Sequence, residues 1–337
     1  MTDSCAHSAK TPRGIARLEV AMYSLNSAIM EYILFCRTEG KSPRTIRWYR
    51  QKLDYFEHFL RENGLPTELD EIKRSEIRGF IHHLQSEVKS GVNNPRRPAE
   101  DKSLSMHTIH GYVRTLRAFF SWTVREGLVK DNPMRGVRNP KVPKQLMPSF
   151  SEDQVRRLLS SVDRRNAIGA RNHAILVTLL DTGIRASELT SLKEGDLYLQ
   201  GGFFKVSGKG GKERIVPIGS TCRATLARYI HRYRPQPATP HIDNVFLTKG
   251  GRPLKSDYLY KIVSEACNRA GIDNVRPGPH TCRHTFARRF LMNGGDLLTL
   301  QRILGHSSLE VVRLYVHLDT GDLLQQQGKY SPIDNLC

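Results

Sequence analysis

The last third of the chain contains the stretch that decides both its fold and its chemistry. Residues 279–286 read PHTCRHTF, residues 304–307 read LGHS and residues 314–317 read LYVH. Far upstream, residues 182–189 read TGIRASEL and residues 207–214 read SGKGGKER. These motifs supply two arginines, a lysine, two histidines and a tyrosine, among segments whose apolar residues recur at helical spacing. Such a set is suited to holding a phosphodiester, neutralising its charge and attacking it with a phenolate, without a metal.

The net charge of the chain indicates a polyanionic partner. There are 52 Lys+Arg against 33 Asp+Glu, a net charge of +19 over 337 residues. A split at residue 145 gives 25 basic and 16 acidic residues before it (+9), and 27 and 17 after it (+10). Two modules that share one nucleic acid have this distribution. A solvated basic surface on an enzyme is the alternative.

The cysteines and the apolar runs bear on the compartment. The six cysteines lie far apart without a Cys-x-x-Cys pair, which favours free thiols in a reducing compartment. No apolar run approaches about 18 residues, and the N-terminal residues show no apolar signal segment. We therefore expect a cytoplasmic, DNA-associated protein that does not contact a membrane.

The first module is predicted to be a helical bundle. Apolar residues recur at helical spacing over residues 23–60, 71–88 and 105–126. Ser42 and Pro43 mark a helix start, with the serine as the N-cap and the proline at the first helical position.

The second module is predicted to be mixed. Short strands are expected at 196–199, 203–207 and 213–218, the last two joined as a hairpin by a glycine-rich turn. Helices are expected at 151–162, 171–182, 220–233, 256–270, 281–293, 296–304 and 308–318. The predicted fold class is therefore mainly α with a small antiparallel β-sheet (α+β). The predicted parts are a flexible lead (1–22), a helical DNA-binding domain (23–138), a basic linker (139–147), a catalytic domain (148–318) and a C-terminal tail (319–337).

Arg185 and Arg283 are the predicted phosphate-binding residues. Each lies at the start or in the first turn of a predicted helix, and a guanidinium binds phosphate bidentately without losing its charge. Removal of one preorganised donor costs about 3 kcal/mol at sites of this kind. His280 is expected directly before the helix of Arg283. His306 follows Gly305 at a helix end, where its imidazole can donate to the same oxyanion.

Tyr315 is the predicted nucleophile. Because a free phenol has a pKa of about 10, it needs a base or local positive charge, and His280 is the expected base. Lys209, on the glycine-rich turn, is the expected general acid for the leaving 5′-oxygen. Glu188, three residues after Arg185, is expected to orient a guanidinium or an imidazole.

Further basic residues are predicted to contact DNA: Arg44, Arg47 and Arg50 on one helix face, Lys141 and Lys144 in the linker, and Lys212 and Arg214 in the hairpin. No metal or other cofactor is expected. Side chains at i and i+2 on a helix point apart, so Cys282 points away from both His280 and His284, and no second Cys/His pair follows at finger spacing.

The motifs together resemble those of the tyrosine recombinases, the family of phage-type integrases and Xer-type recombinases, from about residue 24 to 318. The resemblance implies that Tyr315 becomes the covalent nucleophile and that five residues surround the phosphate: Arg185, Lys209, His280, Arg283 and His306. It also implies a SAM-like core-binding domain and a catalytic domain that clamp DNA. The lead before residue 24 is expected to be too short for the separate arm-binding domain that many phage integrases carry. Cys282 stands where the family usually has Leu, which we interpret as a change in packing.

The expected function is site-specific recombination of double-stranded DNA through a 3′-phosphotyrosyl intermediate and a Holliday junction, without ATP. The resemblance implies a homotetramer on DNA, and we expect a monomer in free solution. Two alternatives are a type IB topoisomerase-like nicking and closing enzyme and a catalytically inert DNA-binding accessory protein. A metal-dependent nuclease would need clustered carboxylates, which the motifs lack.

Overall fold

The computed structural model describes residues 23–88, 103–141, 148–208 and 213–305, together with 327–329, 331 and 333. The chain divides into two compact units, Met1–Lys144 and Gln145–Cys337. The described residues are mostly helical, with one three-stranded antiparallel sheet, so the predicted fold class is confirmed. Within these ranges, every helix is too short or too polar to cross a membrane.

The described part of the N-terminal unit is helical, and three of its helices begin at serine caps. Its helices are α1 (Leu25–Thr38), α2 (Pro43–Glu62), α3 (Arg74–Ser86) and α4 (Met106–Arg125). The hydroxyl oxygens of Ser24, Ser42 and Ser105 each accept a hydrogen bond from the backbone N–H three residues on. Each bond satisfies one of the N–H groups that a first helical turn leaves without a partner. The predicted start at Ser42 and Pro43 is confirmed.

An aromatic core holds these helices together. Phe56 of α2, Phe80 of α3 and Phe119 of α4 are fully buried. The rings of Phe56 and Phe80 meet edge to face, with their centroids 5.0 Å apart, an arrangement that adds to the free energy gained by burial.

The C-terminal unit surrounds one buried helix with shorter elements. Its helices are α5 (Glu152–Ser160), α6 (Ala167–Thr182), α7 (Ala186–Ser191), α8 (Ser220–Arg228), α9 (Ser256–Arg269), α10 (Pro279–Met292) and α11 (Leu297–Leu304), and its strands are β1 (Leu197–Tyr198), β2 (Phe203–Ser207) and β3 (Glu213–Pro217). A short π-helical segment, Tyr229–Tyr233, follows α8. The helix predicted at 308–318 lies outside the described residues.

Three helix starts differ from the sequence prediction by more than one residue. Helix α3 begins at Arg74 rather than residue 71. Helix α6 begins at Ala167 rather than residue 171, because the Asn166 side chain accepts a hydrogen bond from Gly169 N and caps an earlier turn. The prediction that His280 precedes its helix is wrong, since α10 begins at Pro279 and includes His280. Proline suits the first helical position because its φ is already helical and no N–H is required there.

Helix α6 ends at a glycine that the surrounding packing requires. Gly183 has a φ of 59°, in the left-handed region that closes many helices. A Cβ at this position would lie 2.6 Å from Phe286 of α10 and 2.9 Å from Leu304 of α11. The backbone therefore turns sharply here, and Arg185 follows two residues later.

The sheet determines which hairpin side chains face inward. Strands β2 and β3 pair antiparallel, with Phe204 opposite Val216 and Val206 opposite Arg214. Phe204, Val206 and Val216 are buried. Because side chains alternate between the two faces of a strand, Arg214 lies on the same inward face as Val216.

Candidate active site

Arg185 occupies the N-cap of α7, immediately after the turn at Gly183. Its backbone N–H donates to one carboxylate oxygen of Glu188 at 3.0 Å, and its Nη1 donates to the other at 2.7 Å. The Arg185 Nη2 atom donates to the carbonyl oxygen of Gly305 at 3.1 Å. With a side chain that is 34% exposed, Arg185 is anchored on two sides and still reaches solvent.

Arg283 lies in the first half of α10 and is only 3% exposed. Its Nη1 atom donates to the Gly183 carbonyl at 2.6 Å, and its Nη2 atom donates to the Leu304 carbonyl at 2.7 Å. The buried guanidinium thus connects the end of α6 to the end of α11. A guanidinium has five N–H donors in a fixed fork, and these two bonds use two of them.

Three arginines converge on the C-terminal turn of α11. Arg214 Nε donates to the carbonyl of Ile303 at 2.8 Å, while Arg283 and Arg185 donate to the next two carbonyls, of Leu304 and Gly305. The last carbonyls of a helix lack intrahelical partners and carry partial negative charge, which explains why cations collect there. The structure therefore brings the two predicted phosphate-binding arginines together, at the residue that precedes His306 in sequence.

Glu188 is the buried anion of this cluster. It is 5% exposed, and its carboxylate accepts two bonds from Arg214, at 2.8 and 2.9 Å, in addition to those from Arg185. Burial alone would raise the pKa of Glu188. The hydrogen bonds and positive charges of Arg214 and Arg185 outweigh burial and lower the pKa to about 2. Glu188 is therefore ionised across the physiological pH range.

The histidines of α10 differ in exposure. His280 is exposed, and its ring centroid lies 6.5 Å from that of Tyr260 on α9. His284 lies one turn further along α10. Burial, together with the nearby His280 ring and the Arg283 guanidinium, lowers the pKa of His284 to about 4. His284 is thus neutral near pH 7. Cys282, between the two histidines, is fully buried in the core, as the packing interpretation expected.

The remaining predicted catalytic residues, Lys209, His306 and Tyr315, lie outside the described residues, as do Lys144 and Lys212. Arg214, predicted to contact DNA, has its guanidinium on Glu188 and a side chain that is 13% exposed. Lys141 is described and exposed. In the described part of the chain, there is no group of three His, Cys, Asp or Glu side chains placed to hold a metal ion.

The predicted basic face of α2 is not uniform. Arg44 and Arg47 are exposed, and no carboxylate in the described ranges pairs with either of them. Arg50 instead pairs with Asp54 one turn later, at 2.7 Å. Trp48 of α2 and His110 and Arg114 of α4 are among the residues that line a groove.

Comparison with known proteins identifies the family. The phage integrase family model matches residues 148–321, and the model of the phage integrase SAM-like domain matches residues 24–142. The tyrosine recombinase XerD of Listeria innocua serovar 6a is 35% identical over 297 residues, which cover 87% of this chain and 95% of that protein. The tyrosine recombinase XerD of Oceanobacillus iheyensis is 32% identical over 311 residues, which cover 91% and 99% of the two chains.

A solved structure shows the same fold. The XerH site-specific recombinase, in a post-cleavage complex with a palindromic difH substrate, superposes with a TM-score of 0.68 at 22% identity. The match covers 92% of this chain and 85% of that one. The chain therefore belongs to the phage integrase family and is a site-specific tyrosine recombinase.

One feature of the site was missed from the sequence. The bonds from three arginines to the carbonyls of residues 303–305 involve backbone acceptors, which no side-chain motif reveals. The strand register offered a partial signal for Arg214, because Arg214 shares a face with Val216. The neighbouring Ile215 is the more apolar residue, yet it is exposed, so hydrophobic alternation alone would have chosen the wrong face.

Proposed function

We propose that this recombinase cuts one DNA strand with Tyr315, while Arg185, Arg283, His280, His306 and Lys209 surround the scissile phosphate. The observation that carries the proposal is the convergence of the Arg185 and Arg283 guanidinium groups on adjacent carbonyls, those of Gly305 and Leu304. Both positive charges therefore lie beside the residue that precedes His306. A phosphodiester approached by a nucleophile gains negative charge on its non-bridging oxygens, and donors fixed in advance stabilise that charge most effectively.

The proposed chemistry conserves the energy of the broken bond. The Tyr315 oxygen attacks phosphorus as His280 accepts the phenolic proton, and the bond from phosphorus to the 5′-oxygen breaks. Lys209 supplies the proton that this leaving oxygen requires. The resulting 3′-phosphotyrosyl bond is then attacked by the 5′-hydroxyl of a partner strand, which restores the phenol and produces a Holliday junction without ATP.

We propose that the DNA partner is a duplex recombination site bound by both units. Arg44 and Arg47 of α2 are exposed and pair with no carboxylate in the described ranges, which supports phosphate contacts in the N-terminal unit. The groove lined by Trp48, His110 and Arg114 supports them as well. The XerH relative, which shares this fold, was solved on a DNA substrate. Lys141, Lys144 and Lys212 are proposed as further DNA contacts. We propose a homotetramer on DNA, a monomer in free solution, and a cytoplasmic location on the nucleoid.

A covalent trapping experiment tests the nucleophile. A binding site is first selected from random-sequence duplexes with the Tyr315→Phe protein. The wild-type protein is then mixed with a nicked form of that duplex, from which the short fragment carrying the free 5′-hydroxyl diffuses away. We expect an adduct that survives denaturation, forms in the presence of a chelator and maps to Tyr315.

Tyr260 provides a matched control for this experiment. Its ring lies near His280 and is 41% exposed, so it is an alternative phenol close to the predicted base. Tyr260→Phe should retain the adduct and Tyr315→Phe should lose it. The absence of any adduct with the wild-type protein, or an adduct that maps to Tyr260, would overturn the proposal.

A modified substrate tests the proposed acid. Lys209→Ala should cleave ordinary DNA slowly and recover on DNA whose 5′-bridging oxygen is replaced by sulfur, because a thiolate leaves without a proton. If sulfur rescues neither cleavage nor adduct formation, Lys209 is not the acid.

A further inference from the structure

Arg214 and Arg185 share a single carboxylate. Arg214 donates to Glu188 through Nη1 at 2.8 Å and Nη2 at 2.9 Å, and Arg185 donates to it through Nη1 at 2.7 Å. The Glu188 side chain is 95% buried, so water screens these interactions only weakly. Two positive charges and one negative charge therefore form a compact cluster with a net charge of +1.

Arg214 also fixes the geometry around the cluster. Its Nε atom donates to the Ile303 carbonyl at 2.8 Å, and its Cδ lies 2.9 Å from where a Cβ would stand at Gly305. Gly305 has a φ of 64° and no side chain, so the arginine stem packs directly against the backbone. Arg214 thus connects β3, α7 and the end of α11. In sequence, Lys209 precedes β3, Arg185 is the N-cap of α7, and His306 follows Gly305 at the end of α11.

The charge balance gives Arg214 a role in the reaction. Without Arg214, the remaining pair of Arg185 and Glu188 would be neutral, and the carboxylate would cancel most of the field that Arg185 exerts on a phosphate. We propose that Arg214 is a positioning residue, which compensates the charge of Glu188 so that the positive charge of Arg185 remains available to the scissile phosphate. This inference rests on the proposed function, in which Arg185 binds that phosphate.

A purely structural role would have a different signature. Arg234 provides the matched control, because it is also a buried arginine of the C-terminal unit, with a side chain that is 9% exposed. It pairs with Glu194 at 2.7 Å and donates to the carbonyls of Asn244 and Val245. Arg234→Gln removes a comparable set of bonds without touching the Arg185 cluster.

The test measures chemistry separately from binding and folding. The full-length variants Arg214→Gln, Arg214→Lys, Arg234→Gln and the double variant Glu188→Gln/Arg214→Gln are mixed in excess with the nicked duplex described above. Three quantities are recorded: the first-order rate constant of adduct formation at saturating protein, the Kd for the same duplex, and the thermal unfolding midpoint.

The two single variants of Arg214 should separate charge from shape. Arg214→Gln should lower the rate constant by about tenfold to a hundredfold, with Kd changed by less than about threefold. Arg214→Lys keeps the charge and should recover most of that loss. Arg234→Gln should lower the unfolding midpoint but leave the rate constant of the folded protein unchanged.

The double variant is decisive. Removing the negative charge of Glu188 together with Arg214 leaves Arg185 with its full charge, so the double variant should react about tenfold faster than Arg214→Gln. A double variant as slow as the single one, or slower, would overturn the inference, as would an unchanged rate in Arg214→Gln. A wild-type protein that forms no adduct overturns the proposed function and this inference with it, whereas a wild-type adduct with an unaltered Arg214→Gln rate overturns the inference alone.

Discussion

The buried carboxylate of Glu188 should make the C-terminal unit sensitive to acid. Its pKa falls from 4.5 to about 2 because the bonds and charges of Arg214 and Arg185 outweigh the effect of burial. This lowering of the pKa corresponds to about 3 kcal/mol of stability at neutral pH. The folded-state pKa is the lower one, so this stability is present above about pH 5 and is lost as the pH falls toward 2. By about pH 3.5, about 1 kcal/mol of it should be gone.

Glu188→Gln removes the titrating group and therefore this part of the acid sensitivity. Urea unfolding followed by far-UV circular dichroism at about pH 7 and about pH 3.5 gives the free energy of unfolding for both proteins. The difference between their free energies of unfolding should shrink by about 1 kcal/mol at the lower pH.

The chain provides an internal control for this measurement. Both of its tryptophans, Trp48 and Trp122, lie in the N-terminal unit. The urea midpoint followed by tryptophan fluorescence should therefore respond to acid equally in the two proteins. The electrostatic reasoning would be refuted if the free energy of unfolding from circular dichroism fell by the same amount in wild type and Glu188→Gln between the two pH values.

Three further predictions concern packing, helix capping and DNA binding. Gly183→Ala should lower the free energy of unfolding by about 2–3 kcal/mol in circular dichroism, because φ is positive and Phe286 and Leu304 leave no room for a Cβ; a change below about 0.5 kcal/mol would contradict the packing. Ser42→Ala should lower the urea midpoint followed by tryptophan fluorescence, because the missing N-cap bond costs about 1 kcal/mol of the free energy of unfolding. Ser42→Asp keeps an acceptor and should lose little stability. Equal losses of stability in the two variants would exclude capping as the cause. Arg44→Gln/Arg47→Gln should reduce the slope of log affinity against log salt by about 2 on the selected duplex. Arg50→Gln should change the slope less, because the Arg50 guanidinium already pairs with Asp54. An unchanged slope in the double variant would show that α2 does not contact the DNA.

Much of the fold followed from local sequence signals. Ser42 and Pro43 marked the start of α2, because a side-chain oxygen near free N–H groups and a preset φ act within one turn. The hairpin strands, Phe203–Ser207 and Glu213–Pro217, lie within one residue of the predicted bounds. The start of α10 was misjudged, since a proline can either precede a helix or open one, and local spacing does not distinguish the two.

The sequence by itself determined the class of protein, because the identities, order and spacing of its motif residues are properties of the chain. Only the tertiary structure decided which acceptors the N–H groups of Arg185, Arg214 and Arg283 bind. Their partners are the carbonyls of Ile303, Leu304 and Gly305 and the carboxylate of Glu188, from elements up to 120 residues apart in sequence. Backbone carbonyls are present at every residue, so which of them a buried guanidinium meets depends on how helices pack. Packing also placed Arg214 in the cluster and left Ile215 exposed.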